Sequence, residues 1–174
     1  MDTIQLPDGV TSDLPSIEDR YDSAVRGLMM RIKSLYDAII DRFGLEGLEL
    51  IREISGAEGD AIADKLLARG QRTDLKSITL LLARIFENVR GIGEVTELTD
   101  QRGEIMISRC PYPFDSADVC RAHTTMEERL VHRLNPNLRY QIEACIPRGD
   151  KYCLHVVTTW EISASETRQG FKDI

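Results

Sequence analysis

The hydrophobic period of this 174-residue chain changes once, near Glu94, and that change fixes its fold class. Upstream, apolar residues recur at helical spacing. Ser16-Ile17-Glu18-Asp19 reads as an N-cap with an acid at the third helical position. Tyr21, Val25, Leu28, Ile32, Leu35, Ile39 and Phe43 then follow as one stripe of a long amphipathic helix that Gly44 ends. A second helical region begins at Leu45, is expected to break around Gly56 and Gly59, and resumes from Asp60 to Arg69. Thr73 or Asp74 caps a third helix carried by Leu75, Ile78, Leu82, Ile85 and Val89.

Downstream of Glu94 the pattern is mostly alternating. Val95 to Leu98 and Glu104 to Cys110 read as strands joined by a polar turn. Asp115 or Ser116 starts one inserted helix through Val119, Ala122, Met126, Leu130 and Leu134, which Asn135-Pro136-Asn137 stops. Leu138 to Ile146 and Tyr152 to Ile162 form a closing hairpin. The expected fold is α+β, with N-terminal helices packed on an antiparallel sheet, a meander with one inserted helix. Residues 1–15 read as a flexible arm, 16–162 as a single domain and 163–174 as a polar tail.

A net charge of −7 with no concentrated basic face argues against nucleic acid as a partner. No apolar run approaches the roughly 18 residues that span a bilayer, and no basic-then-apolar leader opens the chain, so the expectation is a cytoplasmic protein with no membrane contact. The N-terminal arm offers a route to a homo-oligomer or a partner subunit.

Four cysteines, Cys110, Cys120, Cys145 and Cys153, all fall in the C-terminal half. If Gly149 takes the positive φ of a bulged turn around Arg148-Gly149-Asp150, Cys145 faces Cys153 across the hairpin, Glu143 faces His155 and Gln141 faces Val157. One face then carries two thiols, a carboxylate and an imidazole. Such a set fits a thiolate metal site, a disulfide or small apolar filling, and a reducing compartment disfavours the disulfide. On the inserted helix, Cys120, His123 and Glu127 share a stripe that either points into a site or is solvated beside the buried stripe of Val119, Ala122, Met126 and Leu130. Trp160, opposite His155, reads as core. Phosphate loops, nucleophile elbows, His-Glu-x-x-His helices and Cys-x-x-Cys pairs are missing from the sequence.

Arg109-Cys110-Pro111-Tyr112-Pro113, Cys120, Leu134-Asn135-Pro136, Cys145, and Gly149-Asp150 ahead of Cys153 together resemble the L-2-amino-thiazoline-4-carboxylic acid hydrolase family. Leu35-Tyr36-Asp37-Ala38-Ile39-Ile40-Asp41-Arg42-Phe43-Gly44 is similar to that family's opening, and the likeness runs from about residue 25 to 157. It implies a hydrolase that opens a small cyclic amidine or amide ring. More distantly, the chain resembles small-molecule-binding domains of the four-vinyl-reductase type, including phenol-sensing domains. Those domains hold zinc with cysteines and a carboxylate. That likeness implies metal ligation by Cys120, Cys145 and Cys153, with Glu143 a possible carboxylate. Cys110 is additional and leaves four-thiolate zinc or an iron-sulfur cluster open. Two expectations follow. One is a metal-dependent hydrolase with Glu143 and His155 moving protons around a zinc-class ion. The other is a non-catalytic, metal-braced binding or sensor module, or a subunit of a larger enzyme, for a small-molecule ligand.

Overall fold

The structure is a computed structural model, and it describes residues 15–160. Nearly all of the expected arm and the whole expected tail lie outside the described residues. Helix α1 spans Ile17–Phe43, α2 Leu45–Ala68 and α3 Leu75–Asn88. Strands β1 (Ile92–Leu98) and β2 (Arg102–Arg109) follow, then α4 (Ala117–His123), α5 (Thr125–Leu134), β3 (Leu138–Ala144), a 3₁₀ turn at Ile146–Arg148, and β4 (Cys153–Thr159). This is the α+β architecture that the change of period requires. No helix among the described residues is long and apolar enough to cross a membrane.

The caps act where the sequence places them. Ser16 accepts the Asp19 N–H at 3.0 Å to open α1, and Asp74, rather than Thr73, accepts the Ser77 N–H at 3.0 Å to open α3. Helix α2 departs from expectation: it runs unbroken through Gly56 and Gly59. The reason is packing. A Cβ on Gly59 would lie 2.2 Å from the Met126 carbonyl oxygen, so glycine there lets the α5 backbone approach α2 closely. The inserted helix also differs, since it divides at Thr124 into α4 and α5.

All neighbouring strands pair antiparallel in the order β1-β2-β4-β3. The expected meander is therefore broken: strands β2 and β3 run parallel with β4 between them, and α4–α5 form the crossover that carries the chain to the outer edge before β4 returns inward. Under the sheet, α2, α3 and α5 bury a cluster including Ile78, Leu82, Ile105, Leu130, Val131, Leu138, Tyr140 and Val157. A smaller cluster lies between α1 and α4, made of Phe114, Val119, Cys120 and Cys145 with Ile32, Tyr36, Ile40 and Tyr112 against it. Helix α1 is held lightly: within its 27 residues Met29 alone is buried. Its N-terminal end is tied by Arg90, which pairs with Glu18 and Asp22 at 2.5 Å each. Trp160 is 61% exposed with the Arg139 guanidinium 5.9 Å over its ring, so it is no part of the core. β4 ends one residue before it.

Candidate functional site

The hairpin that brings the cysteines together is not regular. Ala144 pairs with Leu154, the register expected from the turn, but Ile142 pairs with His155, Gln141 with Val156 and Tyr140 with Val157. Glu143 is the extra residue of a β-bulge between the two registers. Side chains alternate along a strand, so one inserted residue reverses the parity: Leu138, Tyr140 and Ile142 face the core, and after the bulge Cys145 does so instead of Ala144. The bulge thus lets an aromatic-aliphatic strand also deliver a thiol to the interior.

The same bulge removes Glu143 from the site, correcting the expectation that it faces His155. Its carboxylate is gripped by Arg102 at 2.8 and 3.0 Å and accepts the Gln141 amide at 2.9 Å, in an ionic cluster with Glu104 on the opposite face of the sheet. His155 is buried among the interior groups. Its Nδ1 shares a 2.5 Å hydrogen bond with the Tyr140 hydroxyl, its ring packs 4.4 Å from Phe86, and it lies near enough to Cys153 to favour charge there.

Gly149 takes the expected positive φ, +102°, but the expected three-residue turn does not form: Ile146–Arg148 make a 3₁₀ turn inside a longer loop, and Cys145 lies beyond the last ladder pair, Ala144 with Leu154, so it is not paired with Cys153 across the hairpin. The Asp150 carboxylate accepts the Cys145 N–H at 2.7 Å and the Arg148 guanidinium at 2.7 Å, tying the loop across its mouth. That closure directs the Ile146 N–H onto Cys153 Sγ at 3.3 Å.

Four free thiols converge from three parts of the chain: the end of β2, helix α4 and the hairpin. Cys110 neighbours Cys153, Cys120 neighbours Cys145, and Cys153 lies near enough to Cys120 and Cys145 to perturb both. The Cys110 S–H, His155 and the Ile146 N–H all stabilise a Cys153 thiolate and hold its pKa well below the ordinary thiol range, while facing that thiolate drives Cys110 upward. Burial foremost, with neighbouring Cys145 next, pushes Cys120 up. The sulfurs stand as two neighbouring pairs. Among the described residues, no group of three or more His, Cys, Asp or Glu side chains is arranged as a metal donor set.

Beside the thiols lies the stripe of Cys120, His123 and Glu127, and here the solvated alternative is overturned: His123 and Glu127 are both buried. His123 sits among aromatic rings, with Tyr112 at 4.4 Å, Phe114 at 5.2 Å and Tyr36 at 5.8 Å between centroids. Its Nδ1 is 3.1 Å from the Tyr36 hydroxyl, while its Nε2 has no partner among the described residues. Burial lowers its pKa to about 4, so the imidazole is neutral at pH 7. Glu127, on the first turn of α5, also has an unpartnered oxygen, Oε2. Burial, with Glu58 adding to it, raises its pKa to about 7. Its charge is felt by Tyr36, Tyr112, Tyr140 and Cys120, which places it at the junction between the aromatic cluster and the thiols. A carboxyl titrating near neutrality beside a neutral imidazole can hold or move a proton. The i, i+3, i+7 spacing was the sequence signal for these two residues; their burial was not encoded in it.

Cys145 also reaches the surface side of the site. A cavity of about 310 Å³ opens between the α4–α5 junction and the free edge of β3, and Cys145, Tyr140 and Ile142 line it.

No family model matches this chain, and no curated protein does. Among solved structures it is similar to a trafficking protein particle complex subunit 3 from Naegleria fowleri, covalently bound to palmitic acid, at 11% identity and a TM-score of 0.58, covering 78% of this chain and 95% of that one. It is likewise similar to the phenol-responsive sensory domain of the transcription activator PoxR with phenol, at 14% identity and a TM-score of 0.55, covering 86% of this chain and 82% of that one. Likeness at such identities shows a shared fold.

Proposed function

We propose that the chain is a small-molecule-binding module braced by a thiolate-held metal ion. The observation that supports this reading best is the convergence of Cys110, Cys120, Cys145 and Cys153 beside two buried, unpartnered polar groups, His123 Nε2 and Glu127 Oε2. Buried polar atoms cost about 1–3 kcal/mol each when left unpaired, which favours a guest able to satisfy them. Thiolates hold zinc-class ions and iron-sulfur clusters well, and the two thiol pairs, which are not arranged as a donor set, would have to draw together to ligate either. When bound, such an ion supplies Lewis acidity and lowers the pKa of bound water. The residues of this chain do the rest: the aromatic rings of Tyr36, Tyr112 and Phe114 exclude water, and the Ile146 N–H and His155 hold charge on Cys153. The resemblance to a phenol-responsive domain fits this reading, as does a cytosolic setting that keeps the thiols reduced.

The placement of Glu127 favours a second reading, a hydrolase opening a cyclic amidine of the thiazoline-carboxylate kind. In it, Glu127 takes the proton-transfer role that Glu143 cannot reach, with His155 beside Cys153. Elemental analysis and an ultraviolet-visible spectrum of the chain purified without oxygen test the metal: a bound ion that Cys153→Ser removes is expected. Metal-free protein with unchanged ligand binding would overturn it. Ring opening of the thiazoline carboxylate by the loaded protein, lost in Glu127→Gln, would select the hydrolase; binding without turnover would select the module.

A further inference from the structure

The cavity at the edge of β3 carries a charge pattern opposite to that of the molecule. The chain has a net charge of −7, yet Arg121, Arg139 and Arg148 line this cavity against one carboxylate, Glu128. They come from three separate elements: the last turn of α4, β3 and the hairpin turn. Their charges are not equally available. Arg148 is held by Asp150 at 2.7 Å and donates to the Glu143 carbonyl at 2.6 Å, and Arg139 lies over Trp160. Arg121 has no ion pair among the described residues, although acids outnumber bases in the sequence by 29 to 22. The floor is different in kind, with Ile142 and Cys145 presenting apolar and thiol surface.

A polar cationic rim over an apolar floor sorts ligands by shape and charge. A guanidinium fork fits carboxylate and phosphate oxygens, and a partly enclosed site strengthens that contact relative to open water. A volume near 310 Å³ sits at the lower end of the range for small-molecule sites, room for a single ring with an anionic group. We infer that this cavity binds a small organic anion, with Arg121 as the principal partner of its charge and the ring lying on Ile142 and Cys145. The inference deepens the binding-module reading by naming the ligand's charge, and it places the bound molecule against the one cysteine of the cluster that the cavity reaches.

The chain's single tryptophan provides the readout, because Arg139 both lines the cavity and lies 5.9 Å from the Trp160 ring. Full-length protein is titrated with benzoate, phenyl phosphate and the neutral isostere benzamide, following Trp160 emission and, independently, calorimetric heat. At least one anion is expected to bind, and benzamide to bind about tenfold or more weakly, the size of one charge-assisted contact. Preference between benzoate and phenyl phosphate names the head group. Arg121→Gln should erase the preference over benzamide while leaving that compound's own affinity, the metal content and the melting temperature unchanged, since Arg121 is exposed. Binding of neither anion, equal binding of benzamide, or anion affinity indifferent to Arg121→Gln would overturn the inference. Anion binding by metal-free protein would sustain it and defeat the metal reading; metal without anion binding would do the reverse.

Discussion

Among the described residues two clusters share the interior, and they are made differently. The one under the sheet is largely aliphatic and drawn from three helices and all four strands, with Ile78, Leu82, Leu130 and Val131 each fully enclosed. Burying a side chain of that size contributes about 1.5–3 kcal/mol, so this cluster carries the stability. The one between α1 and α4 has four buried members, an aromatic lining, and His123 within it. A helix with one buried residue closes it. The cysteines straddle the boundary, Cys153 and Cys110 with the first cluster, Cys120 and Cys145 with the second. The thiols and the buried imidazole thus sit where packing is thinnest, braced on the side where it is thickest, so a guest at the proposed site would not have to displace the aliphatic core.

The sharpest way to break this division is to attack the brace. Gly59 lets α5 lie against α2, and α5 carries Glu127. In an isolated helix Gly59→Ala would add about 1 kcal/mol of stability. Here its Cβ meets a backbone oxygen at 2.2 Å, so α5 must shift. A net loss of about 3 kcal/mol is expected in urea unfolding, with weakened metal or ligand binding alongside it. A stabilised Gly59→Ala would show that the α2–α5 contact is loose and the brace illusory.

A second test sharpens the contrast through pH. The folded pKa of Glu127 is raised to about 7 from 4.5, so the fold favours its protonated form; that advantage is full below about pH 4.5 and is lost as pH rises through 7. His123 works in the other direction. Its pKa falls to about 4 from 6.5, so its contribution is full above 6.5 and is lost as pH drops through 4. Each effect is on the order of 3 kcal/mol, and between about pH 4.5 and 6.5 they offset one another. In Glu127→Gln, stability should climb from pH 4 to 6.5. In His123→Asn it should decline from pH 4.5 to 7. Stepwise urea unfolding reads both slopes, and variants that track the parent would mean these groups are solvated.

The contrast also explains what the sequence made legible. Helix α1, its Ser16 cap, the change of period at Glu94 and the positive φ of Gly149 all rest on local rules, and they stand as expected. Gly56 and Gly59 do not, because a glycine that breaks a helix and one that admits a neighbouring backbone look alike in one chain. The bulge at Glu143 is hidden for a related reason: Leu138, Tyr140, Ile142, Ala144 and Ile146 alternate without interruption, so nothing local marks the reversal. The stripe of Cys120, His123 and Glu127 was visible, but whether it or the adjacent apolar stripe faced inward depended on α1 and α2 covering it. Both stripes are in fact enclosed in part, since Val119, Ala122 and Leu130 are buried too.

The smallest expected effect falls on the residue that the regular register favoured most. Had Glu143 faced His155, its loss would remove a carboxylate from the thiol cluster. In the bulged register Glu143 meets Arg102, its side chain is 34% exposed, and the pair lies across the sheet from the cysteines. Exposed ion pairs of this kind contribute about 0–1 kcal/mol, and Arg102 retains Glu104 at 2.7 Å when Glu143 is neutralised. Glu143→Gln should therefore lower stability by less than about 1 kcal/mol, an effect diminished further by salt, and leave metal content and anion binding at parental values. Measured beside Glu127→Gln, it decides which carboxylate belongs to the site. Loss of binding in Glu143→Gln with none in Glu127→Gln would mean that the strand slips to the regular register in solution and that Glu143 turns inward with the thiols.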